Sequence, residues 1–94
     1  MPRRVDMNQR NIIEALRDVG ATVTDTHSLG KGFPDIVVGH AGLNYLFEIK
    51  HPENGSLTPD EKNFRVTWAG QADTITCWRD AFEIMGILSP EEKK

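Results

Sequence analysis

Along the first part of the chain the apolar residues Ile12, Ile13, Leu16 and Val19 recur at helical spacing, with Gln9 on the same stripe and Arg10, Glu14 and Arg17 turned away. This pattern predicts an amphipathic helix from Asp6 to Val19, stopped by Gly20. The β-branched run ATVTDTH, residues 21 to 27, predicts a first strand, and SLGKGFP is a glycine-punctuated loop. DIVVGH and NYLFEIK then read as two strands joined by the short AGL connection, which favours an antiparallel hairpin. HPENGSL is a turn-rich loop. The helix start that follows is strong: Thr58 as N-cap, Pro59 at the first helical position and Glu61 closing a capping box. That helix is expected to run to about Ala69, with Phe64 and Trp68 one helical step apart on its apolar face. DTITCW predicts a short strand, and Arg79 to Leu88 a final amphipathic helix ending near Gly86, before a fraying tail over residues 89 to 94. The order α, β, β, β, α, β, α predicts an α/β sandwich with a mixed sheet. No internal repeat or low-complexity segment interrupts it.

Composition narrows this without changing it. Ninety-four residues fit one domain over residues 1–94, with core enough for one layer of helices on one sheet. At 38% hydrophobic and 27% charged the balance is globular. No apolar run approaches the roughly 20 residues of a membrane span. The N-terminal MPRRVDMNQRN carries arginines without an apolar stretch behind them, so no secretory signal is expected and a cytoplasmic location follows. Cys77 alone cannot form an internal disulfide, and within TITCW it reads as a small core residue. The net charge of −3 argues against a protein that coats nucleic acid through bulk electrostatics. It leaves room for a metal-centred site, where a bound cation changes the local sign and a few basic groups meet phosphate. Arg3, Arg4, Arg10, Lys31, Lys62 and Arg65 are the candidates.

The chemistry-bearing stretch is Gly32-Phe33-Pro34-Asp35, twelve further residues, then Glu48-Ile49-Lys50. Strand alternation puts Glu48 and Lys50 on one face and Ile49 on the other, while Asp35 opens the partner strand. Two carboxylates and an ammonium then converge at one end of the hairpin. Two carboxylates about 4 Å apart repel by roughly 4 kcal/mol at an effective dielectric of 20, a penalty that a divalent cation removes. Asp35 and Glu48 are hard oxygen ligands of the kind Mg²⁺ prefers, and the Ile49 carbonyl is a third candidate. Lys50 has three candidate roles: to orient the attacking water, to deprotonate it with a pKa lowered by the metal, or to put positive charge on the phosphate. Each half of the pattern alone has an ordinary explanation, Asp after Pro as a turn and E-x-K as a solvated ion pair. Their combination at this spacing on a hairpin favours a phosphodiester-hydrolysing site.

GFPDIVVG followed by NYLFEIK resembles the PD-(D/E)xK nuclease signature and, more narrowly, the stand-alone virus-type VRR-NUC (replication-repair nuclease) domains. The resemblance continues through LTPDEKNF, the W-A-G end of that helix and the closing strand and helix, so it spans nearly the whole chain. It implies a restriction-endonuclease-like α-β-β-β-α-β core, its mixed sheet flanked by helices, with an extra C-terminal helix. It also implies that Asp35 and Glu48 bind Mg²⁺ or Mn²⁺, that Lys50 is the catalytic lysine, and that an acid of the first helix lies near the site. Asp6 fits that place best, since Asp6, Gln9 and Ile13 share a stripe and Glu14 faces away. Where the family usually carries glutamine after LTPx, this chain has Glu61, which either caps the helix or adds a carboxylate near the metal.

Around this centre, Gln9, Ser28, Lys31, Gly32, His51, Glu61, Lys62 and Arg65 are the supporting or DNA-contacting candidates. His51 follows Lys50 directly, and the loop from Ser28 to Gly32 offers backbone amides and Lys31 to phosphate. His27, His40 and His51 match no zinc spacing. Trp68 and Trp78 read as core or interface anchors, and Tyr45, Phe47, Phe64 and Phe82 as packing. The expected function is a Mg²⁺- or Mn²⁺-dependent endonuclease on DNA, with no organic cofactor and no membrane partner. The resemblance implies a homodimer that cuts branched DNA such as four-way junctions, and a phage or prophage setting in a bacterial host. A twofold dimer supplies two cut sites of opposed polarity, which one small subunit lacks. The alternatives are a nuclease acting on flaps, single strands or plain duplex, and a DNA-binding module that kept the fold without catalysis.

Overall fold

A computed structural model describes residues 4–53 and 55–87, with side chains described from Met7 onward. Arg3 and the tail over 89 to 94 lie outside the described residues, as do the side chains of Arg4 and Asp6. The elements run α1 (Arg4–Asp18), β1 (Thr22–Asp25), a 3₁₀ turn (His27–Leu29), β2 (Ile36–His40), β3 (Leu43–Ile49), α2 (Pro59–Thr67), β4 (Asp73–Ile75) and α3 (Trp78–Met85). The four strands form one sheet in the order β1-β2-β3-β4. The first two pairings are antiparallel and the last is parallel, so the sheet is mixed as expected.

Ala41 and Gly42 close the β2–β3 hairpin with φ of 52° and 82°. Positive φ at both central residues is the signature of the tight primed turn whose twist suits paired strands. The register it sets pairs Ile36 with Phe47 and Val38 with Tyr45. Alternation then sends one set of side chains to the core. Ile36, Val38, Phe47, Ile49 and Ile75 pack there with Ile12 and Leu16 of α1 and with Ala81, Phe82 and Met85 of α3. Burying these aliphatic and aromatic side chains, at about 1.5–3 kcal/mol each, is the main drive for the fold. Glu48 and Lys50 alternate to the opposite face, where the first turn of α2 meets them.

Several boundaries differ from the sequence expectation. The first strand ends at Asp25, opposite the start of β2 at Ile36. Thr26 turns back instead, its hydroxyl donating to the Pro34 carbonyl at 2.7 Å and its N–H to that of Asp35 at 2.8 Å. The chain leaves β4 after Ile75, opposite Ile49, where its partner strand ends. Cys77 is therefore exposed at the N-cap of α3 rather than buried in a strand. Asp80 draws the chain into that helix by accepting from the backbone N–H and the hydroxyl of Thr76 at 2.9 and 3.0 Å. Val19 lies past the end of α1 and is exposed rather than part of the apolar stripe. Trp78 packs against the core, whereas Trp68 does not: it sits 42% exposed against Phe33 and Phe64. No helix among the described residues is long and apolar enough to cross a membrane.

Candidate active site

The loop Gly32-Phe33-Pro34-Asp35 does more than lead into β2. Gly32 has φ of +80°, and a Cβ there would overlap the Asp60 carbonyl and the Glu61 nitrogen. Only glycine lets this loop lie against the first turn of α2. Phe33 meets Phe64 edge-on with centroids 5.4 Å apart, and Phe64 stacks on Trp68 at 5.0 Å. Pro34 is fully buried. The loop thus docks α2 and aims Asp35 with the same four residues.

Asp35 Oδ2 accepts a 2.8 Å hydrogen bond from the backbone N–H of Ile49. An extended residue presents its N–H and C=O to the same edge, so the Ile49 carbonyl opens toward Asp35 as well. Glu48 is 4% exposed and lies against the carboxyls of both Asp35 and Glu61. Burial first, and then these two acidic neighbours, push its pKa up to about 9. Lys50 Nζ stands 3.7 Å from Glu48 Oε2 and 2.8 Å from Glu61 Oε1. Burial works against the ammonium, but the Glu61 bond and the charges of Glu61, Glu48 and Asp35 outweigh it and raise the Lys50 pKa. With no cation in the cleft, its three acidic neighbours thus keep Lys50 charged. The ordinary tendency to desolvate and neutralise a buried lysine has been reversed by its neighbours.

Glu61 caps the helix, and its carboxylate also reaches into the cleft. It completes the capping box, accepting from Thr58 N–H at 2.9 Å while its own N–H donates to the Thr58 hydroxyl at 3.2 Å. The same Oε1 holds Lys50. Burial alone would raise the Glu61 pKa, but the bonds from Lys50 and Thr58 pull it below the ordinary glutamate value.

These residues line a cleft of about 330 Å³ formed by Asp35, Glu48, Ile49, Lys50, His51, Gly55, Ser56 and Glu61. His51 is there as expected. Its Nδ1 accepts from the Glu53 N–H at 3.2 Å, and a Cβ on Gly55 would collide with the His51 backbone and the Lys50 side chain. The turn after β3 is thereby folded tightly back over the lysine. Ser56 is a lining residue that the sequence reading missed; its only signal was its place in the turn just before Leu57 and Thr58.

The remaining candidates sit elsewhere. Ser28, Lys31 and Lys62 are exposed and do not line the cleft. Arg65 donates to the Thr74 hydroxyl at 2.6 Å, and Thr74 pairs with Glu48 in the sheet register. Gln9 is buried and hydrogen-bonds Asp25. It lines a larger groove of about 670 Å³ with Arg10, Ile13, Glu14, Arg17, Asp25 and His27. Size does not mark the site here, because in that groove Asp25 is already matched by His27 at 2.7 Å and Arg17 is spent on the Val23 carbonyl.

The donor set suits a hard divalent cation. Among the described residues no three His, Cys, Asp or Glu side chains form a ready cage. What the cleft offers is two adjacent carboxylates and a backbone carbonyl, and Mg²⁺ characteristically takes one or two carboxylates and keeps several waters. Glu48 holds its proton because one ammonium at 3.7 Å does not offset burial beside two other carboxyls, and a divalent cation would supply the missing positive charge.

No family model matches the chain, and neither does any curated protein. Among solved structures it is similar to one described as a VRR_NUC domain, with a TM-score of 0.67 and 18% identity over 90% of this chain and 97% of that one. The mixed sheet, the three helices and this likeness fit a restriction-endonuclease-like core, and the chain shares the fold of that VRR_NUC domain.

Proposed function

We propose that the protein is a divalent-cation-dependent DNA endonuclease centred on Asp35, Glu48 and Lys50. The observation that carries this reading is the buried Glu48, flanked by Asp35 and Glu61 with its pKa pushed up to about 9, beside a lysine kept charged. The fold, shared with a VRR_NUC domain, supports it independently.

Asp35, Glu48 and the Ile49 carbonyl would hold Mg²⁺ or Mn²⁺. Such an ion supplies positive charge to a phosphodiester and lowers the pKa of bound water. The chain's own residues do the rest. Asp35 is fixed by the Ile49 N–H, so its outward oxygen is preorganised rather than searching. The Lys50 ammonium is a donor to a phosphate oxygen or to the attacking water, and stabilises negative charge as it develops. His51 and Ser56, on the rim, are donors to flanking phosphates. Asp6 of α1 is the supporting acid in the same reading.

The substrate is branched DNA and the working unit a homodimer in this proposal, since one subunit carries one such cleft and a twofold pair carries two of opposite polarity. A cytoplasmic setting rich in hard cations suits this reading, which calls for no organic cofactor. The test is a panel of labelled four-way junctions, flaps, single strands and duplexes, incubated with Mg²⁺, Mn²⁺ or EDTA, alongside Lys50→Ala and sedimentation at micromolar concentration. Junction incision that needs the cation and Lys50, from a dimer, is the expected result. Cutting in EDTA, or no cutting of any substrate in either metal, overturns the proposal.

A further inference from the structure

We infer that Glu61 is a positioning residue for Lys50, so that the docking of α2 sets where the active-site ammonium stands. The inference rests on the nuclease reading above for its functional consequence, but its structural content is independent. Lys50 Nζ is nearer to Glu61 Oε1, at 2.8 Å, than to Glu48 Oε2, at 3.7 Å. Lysine is a flexible four-carbon stem ending in a point charge, so the Lys50 N–H bond to the Ile75 carbonyl just past β3 fixes its root and leaves its tip undetermined. Glu48 alone gives that tip only a longer contact.

Glu61, by contrast, is constrained in three ways. Its backbone is the third residue of α2, pressed against Gly32 so closely that no Cβ fits between them. Its carboxylate is oriented by the Thr58 N–H, and its own N–H is tied to the Thr58 hydroxyl. The rest of α2 contributes no buried residue, so its seat depends on Gly32, on the Phe33–Phe64–Trp68 contacts and on the Arg65 bond to Thr74. The chain of dependence runs from the GFPD loop through the α2 cap to the lysine tip. One loop therefore places two members of the site: Asp35 directly, and Lys50 through Glu61.

The test uses Glu61→Ala, Glu61→Gln and Thr58→Ala. Thr58→Ala and Glu61→Ala each remove one half of the capping box, but only the second removes the Lys50 contact. Glu61→Gln keeps an oxygen to accept from Thr58 N–H and loses the charge. Two readouts are needed: junction cleavage resolved into kcat and KM, and the rate at which reductive methylation labels Lys50 in the full chain, followed by mass spectrometry. For Glu61→Ala, kcat is expected to fall on the order of tenfold to a hundredfold with KM little changed, as a misplaced catalytic group does. Lys50 should be labelled several times faster than in wild type. Glu61→Gln should lie between, and Thr58→Ala, which loses the hydroxyl tie but keeps the backbone N–H on Glu61 Oε1, should shift both readouts far less than Glu61→Ala. Parallel losses in Thr58→Ala and Glu61→Ala, a rise in kcat for Glu61→Ala, or equal Lys50 labelling in it and wild type would overturn the inference. If wild type cleaves nothing, the nuclease proposal has failed, and the labelling alone still decides whether Glu61 holds Lys50.

Discussion

The carboxylate of Asp35 closes on the backbone N–H of Ile49 at 2.8 Å, completing with a side chain the ladder between β2 and β3. The residue that a cation would need is thus also part of the sheet. Replacing it separates the two roles. Asp35→Asn keeps an oxygen for the Ile49 N–H and should unfold near the wild-type temperature, yet lose the heat of Mg²⁺ binding in calorimetry. Asp35→Ala leaves that N–H without an acceptor and should cost a further ~1–3 kcal/mol in denaturant titration. Equal metal heats in Asp35→Asn and wild type would remove Asp35 from the ligand set.

Glu48 makes the stability of the protein depend on pH in an unusual direction. Its folded pKa of about 9 lies above the ordinary value of 4.5, so the folded state binds the proton more tightly than the unfolded chain. Its contribution is fully present below pH 4.5 and is lost as pH rises through about 9. With EDTA present, melting temperature should therefore decline toward alkaline pH. Glu48→Gln should flatten that decline, and Mg²⁺ should restore more stability at pH 9 than at pH 6. A wild-type profile identical to that of Glu48→Gln would remove the effect.

Gly32 is the position where the smallest change should do most to α2. An added methyl meets the Asp60 backbone, which cannot move without displacing the helix start, and the φ of +80° is itself unfavourable for alanine. Gly32→Ala is expected to destabilise the chain by ~1–3 kcal/mol and to loosen α2. Amide exchange over residues 59–67 should quicken while that of β2 and β3 changes little. Unchanged exchange in α2 would show that the loop does not seat the helix.

Ala41 offers a gain. It holds φ of 52° in the hairpin turn, a conformation costing an L-residue roughly 1–2 kcal/mol that asparagine tolerates better. Ala41→Asn creates the Asn-Gly pair that this turn favours and should raise stability by ~0.5–1 kcal/mol in urea unfolding, without touching the cleft. A neutral or destabilising result would mean that the turn relaxes in solution.

What the sequence made legible was whatever depended on neighbours along the chain. The capping box at Thr58 and Glu61, the short hairpin and the alternation that pairs Glu48 with Lys50 are local rules, and each is present in the structure. The bond between Glu61 and Lys50 escaped, because it exists only once Gly32 and Phe33 have seated a helix that begins nine residues after Lys50. Cys77 misled for a related reason: TITCW has the composition of a strand throughout, but a strand extends only as far as its partner, and β3 stops at Ile49. Ser56 carried no chemical pattern of its own, and only the fold of the turn brings it to the cleft.

The thin seat of α2 has a thermal consequence. The sheet with α1 and α3 owns the whole of the buried cluster, while α2 contributes nothing to it. Detaching that helix is therefore a cheaper fluctuation than melting the molecule, a local opening well below the global unfolding free energy. On warming, Lys50 would lose its anchor while the β-ribbon beneath stayed intact, and cooling would reassemble the cleft without refolding the rest.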